Sequence, residues 1–209
     1  MKNITILIHD WCGHPFTFDL SKELAARGYH VHHVYTLASA GPKALIKNGG
    51  DNLAVHHVDF DLIQKSKFIT RWFQDRDYGA HVADIVAHVR PDIVMSANTP
   101  LESQRKIMTA CRQSNSSFIF WQQDIISIAA RKILAKKNTL VGAFVGAYFK
   151  VLEKRMLLRS QHIVVIAREF ENIIKTWGVP GDKITAIPNW APIAEIPVLS
   201  CLLYTSDAA

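Results

Sequence analysis

Apolar positions recur along the chain in two rhythms. Residues 4–8 are apolar but for Thr5, the pattern of a continuous strand buried on both faces. Residues 15–27 follow a helical period: Phe16, Leu20 and Leu24 fall at i, i+4 and i+8. Pro15 suits the first helical position and Gly28 the position just past the end. The spacing predicts further strands at 30–36, 53–58 and 93–96, and one in "SFIFWQQD" ending in polar residues. Helices are predicted at 72–89 and 101–112. After a long helical region, 162–167, 168–179 and 183–190 read as strand, helix and strand.

This alternation predicts an α/β fold with a doubly wound, Rossmann-like parallel sheet spanning residues 1–190. Right-handed crossovers then bring the loops at 9–15, 36–39, 97–100, 122–124, 167–169 and 188–190 to the carboxyl edge of the sheet. Those loops are more polar than the strands feeding them, as a ligand cleft requires. The last stretch, "VLSCLLYTSDAA", has no periodicity linked to what precedes it. Residues 198–209 resemble translated adapter read-through and are expected to be non-native, the other reading being a short natural tail. Residues 191–197 are expected to begin a linker.

Composition narrows the classes. The 209 residues are 49% hydrophobic and 20% charged, an ordinary soluble balance, and the net charge of +6 favours anionic partners. Cys12, Cys111 and Cys201 are too far apart for a CxxC metal site and odd in number for a disulfide framework, so a reducing cytoplasm is expected. The N-terminus lacks the cleavage region of a signal peptide, and the apolar run at 140–149 is too short to span a bilayer.

The loop after the first strand, "HDWCGHP", has one glycine where a dinucleotide site would have GxGxxG, and the second strand ends Tyr35-Thr36 without the acidic residue of that fingerprint. A P-loop motif is absent too. Two readings stay open: a plain strand-to-helix turn, or an anion cradle at a helix N-terminus using Gly13, His14 and the amides after Pro15. His9 and His14 flank this cleft, and either could meet a phosphate or a sugar hydroxyl. "HVHHV" at 30–34 has no carboxylate or cysteine at ligand spacing, so no metal site is expected.

Gln122, Gln123 and Asp124 follow a buried strand, where carboxylate and amides suit a polyhydroxylated ligand; equally, Asp124 could cap the next segment. Residues 131–160 carry eight basic residues, Lys136, Lys137, Lys150, Lys154 and Arg155 among them, against the single acid Glu153. Leu140, Phe144, Tyr148, Val151 and Leu152 recur there at helical spacing. Such a helix either lies on an anionic membrane surface or packs its apolar stripe on the sheet. Nucleic acid is not expected, since no stacking aromatics interleave with a basic groove.

Taken together, "GHPFTFDLSKELAARGYHV", "RPDIVMSANTPLESQRKI", "FIFWQQDIISIAA", "LEKRMLLRSQHIVVIAREFENIIKTWGV" and "KITAIPNWAPIAEIP" resemble the N-terminal half of family 4 glycosyltransferases, in the colanic-acid-type bacterial polysaccharide branch. The resemblance implies one half of a GT-B architecture and a nucleotide-sugar donor used as substrate, with no cofactor and no obligatory metal. It implies transfer with retention to a glycan or polyprenyl-linked acceptor at the inner face of the cell membrane. It puts Gly13 and His14 near the donor diphosphate, Asn98, Thr99 and Gln123 on the acceptor side, and Asp124 as the catalytic residue that orients a sugar hydroxyl. "IPNW" would be where the chain crosses to a second, donor-binding domain, and the chain as given is expected to be inactive alone. The alternatives are a GT-B sugar-nucleotide 2-epimerase and a non-catalytic sugar- or nucleotide-binding module.

Overall fold

The two rhythms become strands and helices that alternate except at β2–β3 and α4–α5: β1 (Thr5–Asp10), α1 (Pro15–Ala26), β2 (His30–Thr36), β3 (Leu53–Val58), α2 (Phe68–Val89), β4 (Ile93–Ala97), α3 (Leu101–Gln113), β5 (Ser117–Gln122), α4 (Ile126–Ala135), α5 (Thr139–Arg159), β6 (His162–Val165), α6 (Arg168–Lys175) and β7 (Ile184–Ala186). The computed structural model describes residues 4–38, 49–59, 68–136 and 138–191. Lys137, the linker expected at 192–197 and the tail at 198–209 lie outside the described residues. The strands form one sheet in the order β3-β2-β1-β4-β5-β6-β7, every pairing parallel.

The apolar run Ile6–Ile8 of β1 is explained by burial on both faces. Leu7 joins Val34, Val94, Tyr78 and Val82 on the side covered by α2, α3, α5 and α6. Ile6 and Ile8 point the other way, against Val31 and against Leu20 and Leu24 of α1. The chain leaves β1 toward β2 on one side and returns to β4 on the other. The strand order therefore reverses between β1 and β4, where Asp10 lies opposite Ala97. Loops diverge at such a switch point and leave a crevice beyond the strand ends.

The long helical region resolves into an antiparallel hairpin. Asn138 caps α5, its side chain accepting hydrogen bonds from the amides of Leu140 and Val141. Gly142 and Gly146 let α5 lie against α4: a Cβ on Gly142 would stand 2.5 Å from the Ala135 nitrogen, and one on Gly146 2.7 Å from the Arg131 Cβ. The predicted helix at 168–179 ends earlier, at Lys175, and Gly178 takes a positive φ of 86° in the turn that follows. The final strand is three residues long at the sheet edge, and Pro188 beyond it has no N–H for a further pairing.

Candidate functional site

The loop between β1 and α1 is closed on itself by Asp10. This buried carboxylate accepts hydrogen bonds from the amides of Cys12 (3.1 Å) and His14 (2.5 Å), the Thr17 hydroxyl (2.9 Å) and His14 Nδ1 (2.9 Å). The Gly13 amide bonds the Asp10 carbonyl at 3.1 Å, and Gly13 makes the tight turn at φ 70°. The Gly13 and His14 amides are thus engaged, Pro15 has none, and the Thr17 and Phe18 amides bond the His14 carbonyl. What the loop presents outward is the half-buried His14 ring, whose Nε2 makes no hydrogen bond among the described residues.

The Asp10 hydrogen bond raises the His14 pKa above its ordinary value, and partial burial opposes this. The hydrogen bonds and charge of His14, with Thr17, outweigh burial and hold Asp10 below the usual carboxylate range. With Nδ1 donating to Asp10, two chemistries are open at Nε2: the imidazolium contacts an anion, or the neutral ring takes a proton from a hydroxyl. The Asn98 Nδ2 lies 3.5 Å from His14 Nδ1, across the switch point; both are donors, so this is proximity rather than a hydrogen bond.

His9, expected at the cleft, is instead fully buried. Ser96 Oγ donates to Gln104 Oε1, so His9 Nδ1 donates to Ser96, and His9 Nε2 accepts from the Tyr78 hydroxyl at 2.8 Å. Burial pushes its pKa down to about 3, so the ring is a neutral strut beneath the loops. In β2, His33 is buried against Ser21 at 2.8 Å, and His32 bonds and stacks on His56. Among the described residues, no group of three His, Cys, Asp or Glu side chains could hold a metal ion.

A cavity of about 410 Å³ opens beside this loop, between α2, α3, α4 and the loop after β5. Asn98, Thr99, Gln123 and Asp124 all line it, so the topology gathers these four predicted residues from two loops; Gly13 and His14 are not among its lining residues. Asn98 has a positive φ of 46°, a conformation that asparagine tolerates better than most residues, and this turns the chain into α3. Thr99 is 3% exposed and its hydroxyl donates to the Ala97 carbonyl at 2.6 Å, so it shapes the turn more than it faces a ligand. Gln123 Oε1 accepts from Asn189 at 2.7 Å, while Gln123 Nε2 is buried without a partner.

Asp124 is exposed at this cavity and does not cap α4. That task falls to the buried Glu153 of α5, which accepts hydrogen bonds from the Ile126 and Ser127 amides, the Ser127 hydroxyl and Gln122 Nε2. Burial raises the Glu153 pKa, opposed by those same hydrogen bonds.

Sequence reasoning missed Asp10, Asp75 and Trp190 at this edge. The DxxxH spacing of Asp10 and His14 was the available signal for the first. Trp190 stacks on Trp121 with ring centroids 6.0 Å apart, meets Phe16 edge-on, and donates to Asp19 at 3.1 Å. The chain beyond β7 thus folds back over the first helix.

Most of the apolar stripe of α5 stays off the sheet, while Leu152 packs against the core. Gly142, Gly146, Glu153, Met156 and Leu157 face the protein. Leu140, Phe144, Tyr148 and Val151 do not pack on the sheet: Leu140 is 72% and Phe144 76% exposed. At 3.6 residues per turn, Leu140, Phe144, Val151 and Leu158 form one outward strip flanked by Lys154 and Arg155. Lys136, Lys150, Lys154 and Arg155 are all exposed, and Lys150 stands 5.7 Å over the Trp177 ring. No helix among the described residues is long and apolar enough to cross a membrane.

The family model described as Glycosyl transferase 4-like domain matches residues 13–190. No curated protein matches the chain significantly. Among solved structures, the chain is similar to sucrose-phosphate synthase from Thermosynechococcus elongatus, with 12% identity, a TM-score of 0.61, and coverage of 88% of this chain and 48% of that one. It is similar to Arabidopsis thaliana UGT89C1 complexed with UDP-L-rhamnose, at 13% identity and TM-score 0.60, covering 92% and 50%. Anabaena Alr3699/HepE in complex with UDP gives 14% identity and TM-score 0.53, covering 91% and 45%. These likenesses show the fold: the Rossmann-like half of a GT-B architecture. The chain spans about half the length of the solved structures it matches.

Proposed function

The chain belongs to the glycosyl transferase 4-like domain family, and from that premise we propose that it forms the acceptor-side half of a retaining glycosyltransferase. A nucleotide-sugar donor gives its sugar to a glycan carried on a lipid, in bacterial surface polysaccharide synthesis. The observation that carries this reading is the cavity lined by Asn98, Gln123 and Asp124 beside the His14 loop at the switch point. It offers hydroxyl-binding side chains next to an imidazole that can face an anion.

In this reading the donor binds mainly on a second domain facing the carboxyl edge of the sheet. The His14 imidazolium, held by Asp10, contacts the donor diphosphate and stabilises the charge that develops as it leaves. Asp124 orients the acceptor hydroxyl from the mouth of the cavity. The departing diphosphate helps to take the proton of that hydroxyl, and attack from the same face leaves the anomeric configuration unchanged. The outward apolar strip of α5 with its flanking lysines and arginine rests on the anionic inner face of the membrane, where a lipid-linked acceptor resides.

Product analysis on a two-domain protein containing this chain tests the reading, with a panel of labelled nucleotide sugars and membrane lipid extract as acceptor. The expected result is a glycosylated lipid with the donor's anomeric configuration, lost in Asp124→Ala. A free epimerised sugar nucleotide, or an inverted linkage, would overturn it.

A further inference from the structure

We infer that the cavity takes an uncharged, hydroxylated sugar rather than a uronic acid, and that Asp75 of α2 is the residue that sets this preference. The inference rests on the acceptor-side reading of the cavity and adds the chemical class of the sugar. Three carboxylates, Asp75, Glu102 and Asp124, line the cavity against a single guanidinium, that of Arg71. Glu102 already has partners: Arg105 at 2.8 Å and the Tyr148 hydroxyl. Asp75 does not. Its carboxylate is 13% exposed, Oδ2 stands 3.8 Å from Arg71 Nε, and Oδ1 is buried with no hydrogen-bond partner.

One donor on a side chain that lines the same cavity is also unpartnered and buried, Gln123 Nε2. Buried polar atoms without partners are rare in folded proteins. An acceptor oxygen and an N–H donor on side chains lining one cavity are the complement of hydroxyl groups, which both donate and accept. The indole of Trp72 adds an apolar wall suited to a sugar ring. A further carboxylate brought in by a uronic acid would meet Asp75, Glu102 and Asp124 in a poorly solvated space, opposed by Arg71 in the lining and, behind it, by Arg105 on Glu102 and Arg76 over Trp72.

The charged and titratable groups that face Asp75 are Arg71 on its own helix, Glu102 and through it Arg105 on α3, Tyr148 on α5, and Asp124 across the cavity. Burial raises the Asp75 pKa to about 6, with Arg71 opposing and Glu102 adding. At pH 7.5 the group is ionised and repels a uronate; at pH 5 it carries a proton while a uronate, with a pKa of about 3.5 as for an α-carboxyl group, stays charged.

Ligand-detected NMR on the 209-residue chain, with tryptophan fluorescence as a second signal, tests this with paired methyl glycosides and methyl uronides of the gluco, galacto and manno series. At pH 7.5 the neutral member of at least one pair is expected to bind at least about tenfold more tightly than its uronide. That ratio is expected to fall several-fold at pH 5, and to fall likewise in Asp75→Asn at pH 7.5, where the amide keeps an Oδ1 acceptor but carries no charge. Equal binding within every pair, or a ratio that neither pH 5 nor Asp75→Asn moves, would overturn the inference while leaving the acceptor-side reading in place. Binding by no sugar of either kind would overturn both. The pH comparison is made on the unaltered chain, so it decides even where the variant folds poorly.

Discussion

Glu153, near the C-terminal end of α5, holds the start of α4 through Ser127, whose amide and hydroxyl both donate to its Oε2, at 3.1 and 2.6 Å. The helix that follows the Gln123-Asp124 loop is thus fixed from another element, and the loop is left open toward the cavity. Glu153→Ala would leave these donors, with the Ile126 amide and Gln122 Nε2, buried and unbonded. A loss of about 3 kcal/mol or more is expected in urea unfolding. Asp124→Ala, at an exposed position, is expected to change stability by less than about 0.5 kcal/mol.

Asp10 and His14 shift each other in opposite directions, so their pH dependence has a sign. The contribution of Asp10, held low, is present above its unfolded value of 3.8 and is lost as pH falls through its folded pKa. That of His14, held high, is complete below 6.5 and is lost as pH rises through its folded pKa. In an NMR titration the His14 ring is expected to titrate above 6.5 and to drop toward or below that value in Asp10→Asn. An unchanged His14 titration would refute the pairing.

The buried histidines act the other way. His9 is held at about 3 and His33 at about 4, in both cases chiefly by burial. Above pH 6.5 both states are neutral; below it the unfolded chain takes up protons that the folded chain refuses. Between pH 6 and 4 these two residues alone are expected to lower stability by up to about 2.7 kcal/mol per pH unit. Urea unfolding at pH 7, 6 and 5 measures that slope, and a flat profile would count against the buried neutral rings.

The α5 strip gives a vesicle experiment. Sedimentation with anionic liposomes is expected to carry the chain down, and neutral liposomes to carry much less. Replacing Lys154 and Arg155 together by glutamine is expected to weaken anionic binding about thirtyfold, at about 1 kcal/mol for each basic residue. Phe144→Asp is expected to weaken binding to both kinds of vesicle. Equal, negligible sedimentation with both would exclude the membrane role.

Much of the fold was legible because a parallel sheet writes itself as apolar runs between helical periods; β1, β4, β5 and β6 follow that pattern, while β2 and β3 are interrupted by histidines. That Asn98, Thr99, Gln123 and Asp124 would meet at one edge was legible for a related reason, since topology sends the ends of β4 and β5 there. What the sequence hid was pairing across distance. Glu153 stood out as the single acid among eight basic residues, yet nothing local tells that it would be buried on Ser127. The amides of Cys12, Gly13 and His14 were free donors in a linear reading and are bonded to Asp10 in space. Thr99 shows the reverse: right place, hydroxyl turned to Ala97.

The return of Trp190 onto Phe16 and Trp121 has a mechanical meaning. The three-residue edge strand β7 is the weakest tether in the sheet, yet it is not where tension from the following chain arrives. The indole bond to Asp19 and the Asn189 bond to Gln123 take up that load first. A pull on residue 191 is therefore borne by α1 and by the β5–α4 loop, the two elements that frame the crevice. Displacement of the downstream chain is transmitted to the lips of the cleft before it reaches the sheet.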